Sequence, residues 1–192
     1  LATFAPRVGR DAESYRVGAE RVRANFARFD GGADGGLLDV VDGPQGDDAA
    51  LRPNQIFAAS LHYSPLERER RQTVVETCAR RLLTPFGLRS LAPSDPAYVG
   101  RYAGNANARD GAYHQGTVWG WLIGPFACAH ARAFGDPAEA LGFLQPLLDR
   151  LGRYGLGTLG EIFDGDAPFV PRGAFAQAWT VAEVLRAWHE LA

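Results

Sequence analysis

The chain has 192 residues, 46% of them hydrophobic and 22% charged, with a formal net charge of -2. That is apolar material enough for one core, and it leaves no electrostatic footprint for nucleic acid or an anionic membrane. No apolar run approaches the ~20 residues of a membrane span, and the opening LATFAPRVGR lacks the cationic start and apolar run of a signal peptide.

Six helical segments are expected, in chain order. The first runs from about Ala12 to Phe29, with Tyr15, Ala19, Val22, Phe26 and Phe29 at helical spacing. The second follows RPNQ through Ile56, Phe57 and Leu61. The third opens at Ser64-Pro65-Leu66-Glu67, where Ser64 fits an N-cap, Pro65 the first helical position and Glu67 a capping box. It continues through Val74, Val75, Cys78 and Leu82. The fourth spans about Thr117 to Phe134. The fifth opens at Asp136-Pro137-Ala138-Glu139, a second capping pattern, and carries Leu141, Leu144, Leu148 and Leu151. The sixth covers about Ala174 to Leu191, with Trp179, Val184, Leu185 and Trp188. Strand signals are poor: Leu37 to Val41 and Leu88 to Leu91 could pair locally but not build a major sheet. The expected class is all-α.

The connections alternate short and long. Tyr63-Ser64 and Gly135-Asp136 are tight turns, whereas 30–51, 83–116 and 152–173 are long. Antiparallel helices joined this way gather the long loops at one end, and loops beyond about 12–15 residues are usually functional or disordered. The pattern suggests a toroid of helical hairpins, here six helices or about half of an (α/α)6 barrel. The second, fourth and sixth helices are the more apolar set and would be inner. A six-helix solenoid or bundle fits the same periodicity. All 192 residues are then expected to be the C-terminal part of one domain. Met is absent, so the chain is expected to begin inside a longer protein. Half a barrel would expose an apolar seam, for which self-association or pairing with the rest of the parent chain is expected.

Cys78 and Cys128 match no metal or redox spacing and are expected to be buried. The histidines, His62, His114, His130 and His189, form no metal motif. The polar stretches before the expected inner helices are richer. They are Arg52-Pro53-Asn54-Gln55, then RDGAYHQGTVW from Arg109 to Trp119, then GTLGEIFDGDAPFVPRG ending near Gln177 and Trp179. Together they supply Arg, amides, carboxylates and large aromatics. Sugars need this mixture: amides, Arg and carboxylates satisfy hydroxyls, and Trp or Tyr covers the C–H face of the ring. Without Lys or a Gly-rich phosphate loop, phosphate chemistry does not fit. Glycoside hydrolysis needs two carboxyl groups. Glu161, set between Gly160 and Ile162-Phe163, is placed for that work or, alternatively, for a loop salt bridge to Arg172.

Asp110 could contact substrate or pair with Arg109. His114 and Gln115 are candidate sugar ligands, and Trp119 is a stacking face or a core residue. Arg52 and Gln55 could line the cleft, or Arg52 could hold a loop carbonyl. Asp164 offers a sugar contact or a turn at Asp164-Gly165. Gln177 and Trp179 complete the set, and Trp121 and Trp188 are expected in the core.

The runs RPNQIFAASL, LLTPFGLRSL, YVGRYAGNANARDGAYHQGTVWGWLIGPF and GTLGEIFDGDAPFVPRGAFAQAWTVAEVLR, from about Arg52 to Arg186, resemble the C-terminal glucosidase part of bacterial and archaeal glycogen debranching enzymes. Gly160, Gly120 and Phe169 depart from that pattern beside the motifs. The resemblance implies an amylo-α-1,6-glucosidase on an (α/α)6 barrel, cytoplasmic, acting on glycogen or a limit dextrin by inversion. It needs no metal and no organic cofactor. Glu161 would match the general base; the family's general acid lies in an Arg-Asp-Thr stretch that does not occur here. Two other readings remain. One is a non-catalytic carbohydrate-binding or structural fragment; the other is a different sugar enzyme on the same toroid, a trehalase-like hydrolase or an isomerase.

Overall fold

The computed structural model describes residues 1–192. A short 3-10 turn, Ala5–Val8, precedes α1 (Glu13–Asn25) and a second turn, Phe26–Phe29. Next come β1 (Val40–Gly43) and β2 (Gly46–Asp48), the 3-10 turn Pro53–Gln55, α2 (Ile56–Ser60) and α3 (Arg68–Arg81). β3 (Leu83–Thr84), β4 (Gly87–Arg89), α4 (Ala106–Ala112) and β5 (Val118–Trp119) follow. The 3-10 turn Gly120–Leu122 leads into α5 (Ile123–Phe134), α6 (Pro137–Gly142) and α7 (Gln145–Leu148). β6 (Ile162–Phe163), β7 (Pro171–Arg172) and α8 (Ala178–Leu191) close the chain.

The all-α expectation is overturned, and the half-toroid with it. Seven strands form two antiparallel sheets, a β1-β2 ribbon and a five-stranded meander in the order β3-β4-β5-β6-β7. The sheet was hidden because its strands are only two or three residues long. Such pieces are too short to show alternation, and their pairing depends on distant partners. Val118 sits opposite Phe163, and Leu88 opposite Trp119. The long connections supply β3, β4, β6 and β7, whereas β5 and the 3-10 turn after it occupy the opening of the segment expected as the fourth helix, which is helical only from Ile123. Self-association through a half-barrel seam loses its geometric basis.

The helices gather around α5, which contacts α2, α3, α6 and α8. Nine of its twelve residues are buried. Small residues allow this crowding. A Cβ on Gly124 would stand 2.5 Å from the Glu183 carbonyl oxygen of α8, so the two backbones meet there. Phe126 fills the opposite side, edge-on to Phe143 at 5.1 Å. Cys78 and Cys128 are both free and buried.

Helix ends separate two similar sequence patterns. Asp136 does cap α6, accepting the Glu139 N–H at 2.9 Å. Ser64 instead closes the turn before α3, donating to the Ala58 carbonyl and accepting from Leu66 N–H. The helix starts at Arg68, after Glu67, without a side-chain cap. α4 lies within a segment read as a loop, and Asn105 caps it through the Ala108 N–H. No residue of α1 is buried, whereas Phe26 and Phe29 just after it pack on the core. Trp188, expected inside, is 45% exposed. No helix is long and apolar enough to cross a membrane.

Candidate active site

β5 and β6 bring the two richest sequence stretches side by side, with Trp119 opposite Ile162. Ile162 and Phe163 are fully buried in the sheet, which explains apolar residues amid acids. Glu161 follows from this pairing. Its carbonyl accepts the Gly120 N–H at 3.1 Å, and its N–H donates to the Ala174 carbonyl at 2.9 Å. The backbone is thus held from both sides at the mouth of the β6–β7 hairpin.

The Glu161 carboxylate is half-buried and meets three neutral donors. The Tyr113 hydroxyl donates to Oε1 at 2.6 Å, and Gln177 Nε2 approaches the same oxygen at 3.4 Å. The Ala174 N–H donates to Oε2 at 2.8 Å. Gly173 has φ 64°, and a Cβ there would collide with Oε2, so only glycine leaves room for the carboxylate. No cation lies within ion-pair distance. Arg172 pairs with Asp164 instead. Neutral donors fix the direction of a carboxylate without cancelling its charge.

Tyr113 is itself locked. Its ring packs against Trp119 at 4.7 Å, His114 at 4.9 Å and Tyr102 at 5.7 Å. Trp119 Nε1 donates to the Tyr113 carbonyl at 3.1 Å. Burial first, then the hydrogen bond to Glu161 and its negative charge, push the phenol well above its ordinary range. Tyr113 therefore keeps its proton and stays a donor.

His114 and Trp119, which pack on Tyr113, also line a cleft of about 300 Å³ together with Arg52, Asn54, Ser90, Trp121 and Trp179 among others; Glu161 and Tyr113 are not themselves lining residues. Two aromatic pairs form its walls. His114 lies flat on Trp119 at 5.2 Å and 5°, and Trp121 lies on Trp179 at 4.0 Å and 14°. His114 and Trp179 are exposed and offer free ring faces.

The other expected residues divide. Arg52 lines the cleft and also ties its walls: it donates to the Ser90 carbonyl, the His114 carbonyl and Gln115 Oε1. Gln115 is occupied by that bond. Gln55 is buried, accepting from Leu37 N–H and donating to the Arg52 carbonyl. Asp164 is buried with both oxygens on Arg172 and one also on the Tyr102 N–H. Asp110 is exposed on α4 and forms no ion pair; Arg109 turns to the Gly104 carbonyl. The structure adds the Tyr113 hydroxyl, Trp121, Asn54 and Ser90. Tyr113 stands in the same RDGAYHQG run, but its partner is 48 residues away, so local sequence gives no signal for the bond. No three His, Cys, Asp or Glu side chains gather in a way that could hold a metal ion.

Aromatic faces with amide and guanidinium donors suit a sugar, and one carboxylate on neutral donors is present where glycoside hydrolysis needs two. The chain matches the amylo-alpha-1,6-glucosidase family over residues 2–186, nearly its whole length. It belongs to that family, and it is a glucosidase domain of the glycogen-debranching type.

Proposed function

We propose that this chain contributes the general base to inverting hydrolysis of α-1,6-linked glucose at the branch stubs of an α-glucan. The observation that carries the reading is the Glu161 carboxylate, aimed by Tyr113 and Ala174 and free of any cationic partner. Glu161 takes a proton from water as the water oxygen forms its bond to C1 of the glucose. The C1–O6 bond breaks on the opposite face, and O6 receives a proton from an acid. The ring stacks on the exposed aromatic faces, with Arg52 and Asn54 as hydroxyl partners.

The proton donor is a second carboxylic acid from outside these 192 residues, with the chain acting as the C-terminal part of the glucosidase domain. The nearby acids are otherwise engaged: Asp164 with Arg172, and Asp166 with the Tyr98 hydroxyl. In an inverting site the two carboxyls stand about 6.5–9.5 Å apart, leaving room for water.

The test is glucose release from an α-1,6-branched limit dextrin by the intact protein and its Glu161→Gln variant. Loss of about three orders of magnitude in kcat with dextrin still bound supports the assignment, since removing one essential group of a concerted set costs that much. A near-normal rate removes Glu161 from the chemistry. Dextrin binding without any turnover by the wild type would favour a carbohydrate-binding role.

A further inference from the structure

We propose that Asp164 is a positioning residue for Glu161, a role that rests on the reading of Glu161 as the base. Two separate routes run from its carboxylate to the two strongest donors on Glu161. Along the first, Asp164 accepts a two-pronged bond from Arg172, Nε to Oδ1 at 3.1 Å and Nη2 to Oδ2 at 2.9 Å. Arg172 lies on β7 opposite Ile162 of β6. The clamp therefore fixes the base of the hairpin, where Gly173 and Ala174 turn the Ala174 N–H onto Glu161 Oε2. Along the second, Asp164 Oδ1 accepts the Tyr102 N–H at 2.9 Å. The Tyr102 ring packs on Tyr113, and Tyr113 donates to Glu161 Oε1. One carboxylate thus sets both oxygens of another, three residues away.

Asp164 has no face left for a sugar. It is 4% exposed, and both its oxygens carry protein donors. A planar fork on a carboxylate is the most orientation-specific of ion pairs, so the pair controls direction as well as attraction. Asp166 is the natural control. It lies on the same hairpin and accepts from Tyr98, but it makes no hydrogen bond or ion pair with Arg172 or Tyr102.

The experiment measures kcat and KM for limit-dextrin hydrolysis by the intact protein and its Asp164→Asn, Arg172→Lys, Asp166→Asn and Glu161→Gln variants, with thermal melts of each. Asp164→Asn should lower kcat about 100-fold, the effect of misplacing a catalytic group by about 1 Å, with KM within about threefold. Arg172→Lys keeps the charge and loses the fork; it should fall about tenfold in the same manner. Asp166→Asn should stay within about threefold of wild type. A raised KM with unchanged kcat in Asp164→Asn would make it a sugar ligand and overturn the proposal. Equal losses in the Asp164 and Asp166 variants would also overturn it, by pointing to general loosening of the hairpin. If Asp164→Asn does not fold, Arg172→Lys decides on the same criteria. A near-normal Glu161→Gln rate sinks the base assignment itself, whatever the Asp164 variants do.

Discussion

Replacing Arg52 with Met keeps the aliphatic stem and removes the guanidinium. Three bonds go: to the Ser90 carbonyl at 3.1 Å, the His114 carbonyl at 2.6 Å and Gln115 Oε1 at 2.8 Å. The Asp39 contact at 3.7 Å is beyond hydrogen-bond reach, and Asp39 keeps its bond from Asn54 Nδ2 at 3.0 Å. The His114 bond is solvent-exposed, and water can replace it. The other two are part-buried, and the Ser90 residue is 5% exposed. A hydrogen bond to a charged group contributes about 1.5–3 kcal/mol. With the Arg52 side chain 21% exposed, the lower end applies to each, for about 3 kcal/mol in all. For a chain of this size that lowers Tm by roughly 6–12 °C. Urea unfolding followed by circular dichroism reads the loss as a lower midpoint with an unchanged slope. If Arg52→Met unfolds within about 0.5 kcal/mol of wild type, the residue does not tie the cleft walls together. Its role would then be confined to substrate.

Three further outcomes follow from the same geometry. Tyr113→Phe removes the 2.6 Å bond that aims the Glu161 carboxylate; kcat on limit dextrin should fall about tenfold or more with KM little changed, and an unchanged kcat would disconnect Tyr113 from the reaction. Trp179→Ala strips a half-exposed ring from Trp121; stability should fall by no more than about 1.5 kcal/mol while dextrin binding weakens about tenfold, as titration calorimetry would read. Burial raises the Cys78 thiol from 9.0 to about 12, so above pH 9 the unfolded chain releases a proton that the folded chain keeps. Its contribution is intact below that pH and is lost at about 1.4 kcal/mol per unit as pH rises toward 12. Between pH 8 and pH 10 the wild type should lose about 1.4 kcal/mol more than Cys78→Ala; equal losses would show that Cys78 is not buried as described.

What could be read in advance was whatever is written locally. Asp136 and Glu139 lie on one turn, so the start of α6 was visible. The apolar run expected as a helix from about Thr117 to Phe134 does hold α5, but α5 starts only at Ile123, because Val118 and Trp119 pair as β5 and 120–122 form a 3-10 turn. The sheet was not written that way. Ile162 and Phe163 looked like misplaced apolar residues in an acidic loop, and only pairing with Val118 and Trp119 accounts for them. The site follows the same division. Glu161 stood out beside small and apolar neighbours, and Trp119 and Trp179 stood out by type. Arg172 pairs with the buried Asp164 and not with Glu161. Arg52 both lines the cleft and holds loop carbonyls, since the end of β4 and the turn after α4 converge on it. Tyr113 acquires its role only when α4 and the β6–β7 hairpin meet.

The most direct test of the account is chemical rescue of Glu161. In Glu161→Gly of the intact protein, the water has no base, but azide needs none and can enter the vacated space. With limit dextrin and azide, the account predicts recovered turnover and a β-configured glucosyl azide, formed by attack on C1 opposite the departing O6. Failure of azide to restore turnover, or an α-configured product, would contradict Glu161 as the base of an inverting reaction.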